Sequence, residues 1–236
     1  HINRKNKYLS RDWKVNVLEE KFGKKLIKNL KINNATINSR NVKKNNIFFG
    51  IKGKNQDGNK YTDQAIANGA SIAVIDKIFG KKNKKKIKVK NSLKFFTECS
   101  SLIRKSSNIN CIAITGSSGK TTLKEMSGQL LNKICETYYS EKSYNNKYGI
   151  PLSLFNIKKK HRIGIFEVGM DKKGEISYLT KILQPNIGVI TNISYAHIKN
   201  FKNLSQIASA KSEILNHIVE GGTIILNADD KYFSFL

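Results

Sequence analysis

A glycine-rich segment in the middle of the chain, residues 115–122 (Thr-Gly-Ser-Ser-Gly-Lys-Thr-Thr), has the composition and spacing that phosphate chemistry requires. It follows the apolar run Cys111–Thr115 and leads into a stretch of helical character from Lys120. Glycine lets the backbone turn tightly so that successive N–H groups point inward, and a helix N-terminus adds a positive dipole end. The segment therefore predicts a phosphate-binding loop whose contacts are Gly116, Ser117, Ser118, Gly119, Lys120, Thr121 and Thr122.

Two side chains of this loop predict a nucleoside triphosphate with magnesium. Lys120 can reach the terminal phosphates, and the Thr121 hydroxyl can ligate Mg²⁺. The loop is shorter than the usual Walker pattern, which needs a glycine at the position of Ile114. The alternative is a Gly/Ser turn that caps a helix by chance, but the preceding strand and the Lys-Thr pair favour ATP as the ligand.

Two further candidates follow predicted strands of the same sheet. Glu167 is the only acid in the apolar run Ile163–Val168, and His197 follows the strand Ile187–Thr191 by a short loop. Both would lie at the carboxyl edge of the sheet, where α/β folds bind their ligands. Metal binding is one interpretation; a salt-bridged glutamate and a surface histidine are the alternatives.

Lys211 lies among small residues in a predicted helix, Leu204–Val219. A lysine buried there would have a shifted pKa and would be available for chemistry. The alternative is a solvated helical lysine, which the Lys-rich composition favours.

The elements that would position these residues indicate an α/β fold. In the first part, a strand (Ile47–Ile51), a helix (Tyr61–Asn68, with Gly69 as its cap) and a strand (Ser71–Ile75) predict a mixed or parallel sheet in a small N-terminal domain. The charged run Lys81–Lys90 predicts a solvated linker or surface, so the domains are expected at 1–88 and 89–236.

The second part alternates strands and helices, which predicts a parallel sheet covered on both faces. The predicted strands are Cys111–Thr115, Ile163–Val168, Ile187–Thr191 and Thr223–Leu226, and the predicted helices are Leu93–Arg104, the stretch from Lys120, Glu175–Ile182 and Leu204–Val219.

Composition limits the other function classes. The formal net charge of +26 suggests nucleic acid, but only five of the 43 basic residues are arginine and the run Lys81–Lys90 has no interleaved aromatics, so we expect no nucleic-acid partner. No run of about 18 apolar residues is present, which predicts no membrane span. Three cysteines without a CxxC pair fit a reducing compartment, the cytoplasm. We expect a monomer.

Blocks of sequence in family order resemble the Mur ligases of peptidoglycan synthesis over about residues 32–230. In the first domain these blocks are Asn38–Arg40, Phe48–Gly53, Asp57-Gly58 and Ala65–Ala70. In the second they are Ile114–Met126, Tyr144–Leu152, Glu167–Met170, Gly174–Ile176, Ala196-His197 with Phe201, Ile207–Ile214 and Asn227–Asp230.

The resemblance implies roles for individual residues. Thr121, Glu167 and His197 would bind Mg²⁺, and Lys211 would be the lysine that family members carbamylate into a metal ligand. Lys120, Lys211 and His197 would be the catalytic residues. Ser39 and Arg40 would contact the uridine diphosphate end of the substrate, and Asn145 and Asn146 would lie near its muramoyl-peptide.

The resemblance also implies a reaction. The Lys-Glu-Met and Asn-Asn-x-x-Gly-Ile-Pro blocks favour the branch that adds D-Ala-D-Ala to UDP-MurNAc-tripeptide through an acyl phosphate formed with ATP. The family's central domain continues beyond Leu236 and a C-terminal domain should follow, so we expect a fragment without ligase activity alone. Asn38 and Asn59 stand where the family has Asp and His.

Other readings remain open at this point. They are a sibling ligase of the third-residue-adding, folylpolyglutamate or cyanophycin type, a nucleic-acid-stimulated ATPase, and an inactive binding module.

Overall fold

The computed structural model describes residues 13–23, 26, 30–140, 142–195 and 200–236. The chain divides into two compact units, residues 1–106 and 107–236. Each unit has its own parallel sheet, so the predicted α/β class is confirmed. No helix in the described part of the chain is both long and apolar enough to traverse a lipid bilayer.

The first unit is a four-stranded sheet in the order β1-β2-β3-β4, and every neighbouring pair is parallel. Its elements are α1 (Trp13–Phe22), β1 (Ala35–Thr36), β2 (Asn46–Gly50), α2 (Thr62–Ala67), β3 (Ala70–Ile75), β4 (Lys86–Lys88) and α3 (Ser92–Ser106). The predicted strand–helix–strand unit corresponds to β2, α2 and β3, and Gly69 follows α2 with φ +108°.

Helix α3 belongs to the first unit, so the unit boundary at residues 106 and 107 differs from the predicted one at 88 and 89. The Phe95 ring lies 4.5 Å from that of Phe22, and the Phe96 ring lies 4.5 Å from that of Phe49. The charged run that predicted a linker contains β4, a short edge strand. Lysines on an edge strand deter pairing with other chains, so a polar segment is suited to this edge position.

The second unit is a five-stranded parallel sheet in the order β6-β7-β5-β8-β9. Its elements are β5 (Asn110–Thr115), α4 (Lys120–Leu131), β6 (Thr137–Tyr139), α5 (Gly149–Asn156), β7 (Ile163–Glu167), α6 (Glu175–Leu183), β8 (Ile187–Ile190), α7 (Leu204–Lys211) and β9 (Thr223–Leu226).

Strand β5 lies at the centre of this sheet and packs on both faces. Cys111 and Ala113 face a large core that includes residues of α5, α6 and α7, whereas Ile114 faces a smaller core that includes Leu123 of α4. Alternate apolar residues on a strand bury both faces in this way. Because the strands are parallel, β5, β7 and β8 end at the same edge, where Ile114 pairs with Glu167 and Thr115 pairs with Ile190.

One predicted helix differs in form from the prediction. The stretch Leu204–Val219 is α-helical only to Lys211 and continues as a 3₁₀ helix over Ser212–His217. In this tighter turn the Glu213 carboxylate accepts hydrogen bonds from the N–H groups of Gly174 and Ser177, at 2.7 and 3.1 Å. These contacts with the start of α6 are tertiary, and helical periodicity does not report them.

Candidate nucleotide-binding site

The glycine-rich segment forms a tight loop between the end of β5 and the start of α4. Gly116 has φ +147°, and a Cβ atom there would collide with the Thr191 side chain. Gly119 has φ +78° and immediately precedes α4. Both positions therefore require glycine, one because of close packing and its positive φ and the other because of the left-handed backbone.

The N-terminus of α4 presents its backbone N–H groups without a capping side chain. The first N–H groups of a helix have no carbonyl partner within that helix, so they remain donors for an anion. Thr121 and Thr122 are exposed there. Lys120 Nζ lies over the loop and donates to the Gly116 carbonyl at 2.9 Å.

Glu167, at the end of β7, meets this loop from the neighbouring strand. Its side chain is almost fully buried, with the residue 3% exposed. Glu167 Oε2 accepts from the Thr121 hydroxyl at 2.7 Å, and Oε1 accepts from Asn145 Nδ2 at 2.8 Å. A carboxylate and a hydroxyl oxygen beside phosphate-binding amides are the hard oxygen donors that Mg²⁺ prefers. This donor set fits a magnesium–nucleotide complex.

An open cleft connects the loop to α6 and α7. It is lined by two lysines, three acids and four uncharged residues: Gly116, Lys120, Asn145, Glu167, Gly169, Met170, Asp171, Glu175 and Lys211. Charged side chains of both signs therefore line one opening, as is suited to a charged ligand.

Lys211 is a buried lysine of this cleft, and its pKa is lowered. It is 2% exposed, and burial, with the nearby charge of Lys120, lowers its pKa from 10.5 to about 7. A fraction of Lys211 is therefore an uncharged amine at neutral pH, and only an uncharged amine is nucleophilic. Because Lys211 is buried, the alternative prediction of a solvated lysine is wrong. The small residues near it, Ala208 and Ala210, are fully buried as well, so α7 packs tightly.

Comparison with known proteins decides the family. The profile of the Mur ligase middle domain matches residues 114–236, and that of the Mur ligase family catalytic domain matches residues 31–114. The chain belongs to the Mur ligase family.

The chain is also similar to individual Mur ligases. The chain is 36% identical, over 206 residues, to UDP-N-acetylmuramoyl-tripeptide–D-alanyl-D-alanine ligase of Buchnera aphidicola subsp. Baizongia pistaciae; the match covers 87% of this chain and 45% of that protein. A crystal structure of MurF from Acinetobacter baumannii has a TM-score of 0.84 at 28% identity, over 95% of this chain and 51% of that one. The chain thus spans about half the length of the curated relatives it matches.

A solved Mur ligase with bound nucleotide is also similar. MurF from Thermotoga maritima, in complex with ADP, has a TM-score of 0.75 at 28% identity, over 86% of this chain and 47% of that one.

The structure places the other predicted site residues in different surroundings. His197 lies outside the described residues. Asn146 is exposed, and its Oδ1 accepts from the N–H groups of Tyr148 and Gly149 at 3.0 Å, so it fixes the start of α5. Asn145, by contrast, reaches into the cleft.

Ser39 and Arg40 belong to the first unit of this Mur ligase. Ser39 is buried, and its hydroxyl donates to Gln64 Oε1 at 2.7 Å. Arg40 is exposed, and its N–H donates to Asn38 Oδ1 at 3.0 Å. Asn38 therefore still caps the turn where the family's Asp stands, and it leaves the guanidinium accessible.

Asn59, where the family has His, is a structural residue. It is 1% exposed, and its Nδ2 donates to Asp57 Oδ1 at 2.7 Å and to Asp76 Oδ1 at 2.9 Å. Its own Oδ1 accepts from the N–H of Asp76 at 3.1 Å. The amide thereby joins the loops that follow β2 and β3.

Sequence reasoning missed two polar residues that shape the site. Lys124 is fully buried in α4; its Nζ donates to the carbonyls of Ser140 and Lys142 and pairs with Glu125 at 2.9 Å. Asn192 contacts the phosphate loop. In a Lys- and Asn-rich chain neither residue type stands out. The spacing of Lys124, one helical turn after Lys120, does predict that both lysines lie on the same face of α4.

Proposed function

We propose that this chain forms the UDP-substrate-binding and nucleotide-binding part of an ATP-dependent ligase that joins D-Ala-D-Ala to UDP-MurNAc-tripeptide. The observation that carries the proposal is the joining of Thr121, Glu167 and Asn145 by two hydrogen bonds beside a phosphate loop. The 36% identity to a ligase of that name supports this branch of the family.

The phosphate loop and α4 would hold the triphosphate. The N–H groups of the first turn of α4 would donate to the phosphates, and Lys120 would leave the Gly116 carbonyl to contact the terminal phosphates. Pairing a flexible ammonium with a phosphate stabilises the charge that develops when the terminal phosphoryl group is transferred.

Thr121 and Glu167 would hold Mg²⁺, with His197 as a further ligand. The ion would neutralise charge on the phosphates. The hydroxyl and carboxylate lie 2.7 Å apart, so both oxygens could bind the same ion. Asn145 holds the second carboxylate oxygen and thereby orients the group.

Lys211 would act as a carbamate rather than as a cation. Its buried amine, with a pKa of about 7, is suited to attack CO₂ with loss of one proton, which gives a carbamate. That change replaces a buried positive charge beside Lys120 by a negative one and removes the repulsion between the two lysines.

The proposed reaction has two steps. A carboxylate oxygen of UDP-MurNAc-tripeptide attacks the terminal phosphorus of ATP and releases ADP, which leaves an acyl phosphate. The D-Ala-D-Ala amine then attacks the acyl carbon, loses a proton and expels phosphate. Ser39 and Arg40 would contact the uridine diphosphate end, where a guanidinium suits a pyrophosphate.

Calorimetric titration of the chain with ATP and Mg²⁺ tests the nucleotide site. We expect saturable binding that weakens at least roughly tenfold in Lys120→Met, because one charge-assisted contact is lost. Lys133→Met is the matched control, since it exchanges an exposed lysine just beyond the end of α4. Equal affinity of all three proteins would contradict the proposal.

The choice between family branches is tested with UDP-linked substrates. We expect UDP-MurNAc-tripeptide to bind more tightly than UDP-MurNAc-dipeptide, the acceptor of the branch that adds the third residue. Preference for the dipeptide would assign the chain to that sibling branch instead.

A further inference from the structure

The segment that follows β8, residues 191–194, forms hydrogen bonds with the phosphate loop. The Ser117 N–H donates to the Asn192 carbonyl at 3.0 Å, and the Ser117 hydroxyl donates to the Ser194 carbonyl at 2.8 Å. The Thr191 hydroxyl donates to the Ser118 carbonyl at 2.6 Å. We call residues 191–194 the clasp.

The side chain of Asn192 holds both the backbone and the hydroxyl of Ser118. Asn192 Oδ1 accepts from the Ser118 N–H at 3.2 Å, and Nδ2 lies 3.0 Å from the Ser118 hydroxyl oxygen. Ser118 itself is exposed, at the tip of the loop between two residues that need glycine. An exposed loop with two positive-φ glycines has many accessible conformations when nothing holds it.

The donors that the clasp uses differ from those that α4 presents to a ligand. The clasp engages the N–H groups of Ser117 and Ser118. The N–H groups of the first turn of α4 begin at Lys120, and no side chain caps them. The clasp thus fixes one side of the loop and leaves the other side open.

We propose that Asn192 is a positioning residue that holds the phosphate loop in its anion-binding conformation before the nucleotide arrives. A preorganised loop loses less conformational freedom on binding, so its affinity for the ligand is higher. The inference rests on the proposed nucleotide-binding function, and it adds a residue and a mechanism to that site.

The test compares Asn192→Ala with Asn186→Ala. Asn186 is the matched control because its Oδ1 accepts from the Cys111 N–H at 2.9 Å, which joins the same two neighbours, β8 and β5, at the opposite edge of the sheet. We expect Asn192→Ala to weaken ATP and ADP binding roughly tenfold and adenosine binding less than about twofold. Asn186→Ala should leave all three affinities unchanged, although it lowers stability.

A second measurement needs no nucleotide. Amide hydrogen exchange of the free chain should show faster exchange at Ser118 in Asn192→Ala, with exchange in β5 unchanged. Thr191→Val removes another clasp contact without altering side-chain shape, and it should weaken ATP binding about threefold. This variant serves if Asn192→Ala does not fold.

Several outcomes would overturn the inference. Unchanged ATP affinity in Asn192→Ala and Thr191→Val would remove it, and so would an equal loss for ATP and adenosine. Tighter ATP binding in Asn192→Ala would show instead that the side chain competes with phosphate for the Ser118 N–H. If the unaltered chain binds no ATP, the proposed function itself fails, which is a distinct result.

Discussion

The Thr121 hydroxyl donates to the Glu167 carboxylate at 2.7 Å and so joins the first turn of α4 to the end of β7. The two residues are far apart in sequence, and they meet because β5 and β7 are parallel neighbours with Ile114 paired to Glu167. The sheet topology therefore brings the two oxygen donors together. Substitution of either residue alone tests its role in metal binding.

Removal of the Thr121 hydroxyl should separate metal-dependent from metal-independent nucleotide binding. In Thr121→Val we expect the increase in ATP affinity on adding Mg²⁺ to fall roughly tenfold, because a ligand oxygen is lost while the loop amides remain. ATP titrations with Mg²⁺ and with EDTA measure this increase. Thr121→Ser keeps the hydroxyl and should behave like the unaltered chain; a Mg²⁺ effect that survives in Thr121→Val would remove Thr121 from the metal site.

Lys124 and Lys120 lie one turn apart on α4, but their substitution should have different effects. Loss of Lys124 should lower stability, whereas loss of Lys120 should weaken nucleotide binding. Lys124→Met removes the ammonium that donates to the Ser140 carbonyl and pairs with Glu125, and we expect it to lower the free energy of unfolding by about 2–4 kcal/mol. Lys120→Met should change stability by less than about 1 kcal/mol, because its contact with the Gly116 carbonyl is local. Urea unfolding measures both, and equal losses of stability would contradict the distinction.

Lys211 should make stability depend on pH. Its folded-state pKa of about 7 lies below the ordinary value of 10.5, so the unfolded chain binds more protons between these values. The free energy of unfolding should therefore rise with pH across this window, by up to roughly 1.4 kcal/mol per unit from this group, and the cost of burying the charge is full below pH 7.

Urea unfolding at several pH values in CO₂-free buffer measures this dependence. Lys211→Met removes the titrating group, so the stability difference between the unaltered chain and the variant should become more favourable to the unaltered chain as pH rises. A difference that stays constant from pH 7 to pH 10 would show that the amine is not destabilised by burial.

Gly128 should be intolerant of even a methyl group. A Cβ atom at this position in α4 would lie 2.5 Å from the Tyr139 ring. Gly128→Ala should lower the free energy of unfolding by about 1–2 kcal/mol, because steric overlap outweighs the gain in helix propensity. In a Tyr139→Ala background the same substitution should become neutral or stabilising, and thermal unfolding of the four proteins completes the cycle. Additive effects would place the cost elsewhere.

Much of the site could be predicted because its signals are local in sequence. The spacing of Gly116, Gly119 and Lys120 between an apolar strand and a helix predicts the loop, and Glu167 stands out as an acid in an apolar strand. The parallel order of β7, β5 and β8 then brings these residues together. The roles predicted from the resemblance for Ser39, Arg40, Asn146 and His197 stay predictions.

The remainder depends on contacts that periodicity does not encode. The placement of α3 follows from the packing of Phe95 and Phe96 on aromatic rings earlier in the chain, so the compact unit extends beyond the boundary that the charged run predicts. The short strands β4 and β6 carry too few residues for a periodic signal. The hydrogen bonds of Asn192 and Lys124 join segments that only the tertiary fold brings together.

The central position of β5 would make a bound nucleotide a reporter of correct assembly. The loop follows β5, Glu167 ends β7 and the clasp follows β8, so a chain in which either neighbour has failed to dock lacks part of the pocket. A ligand that binds only the complete arrangement stabilises that arrangement alone. Retention on an immobilised nucleotide should accordingly sort properly assembled molecules from those whose sheet is incomplete, without any measurement of turnover.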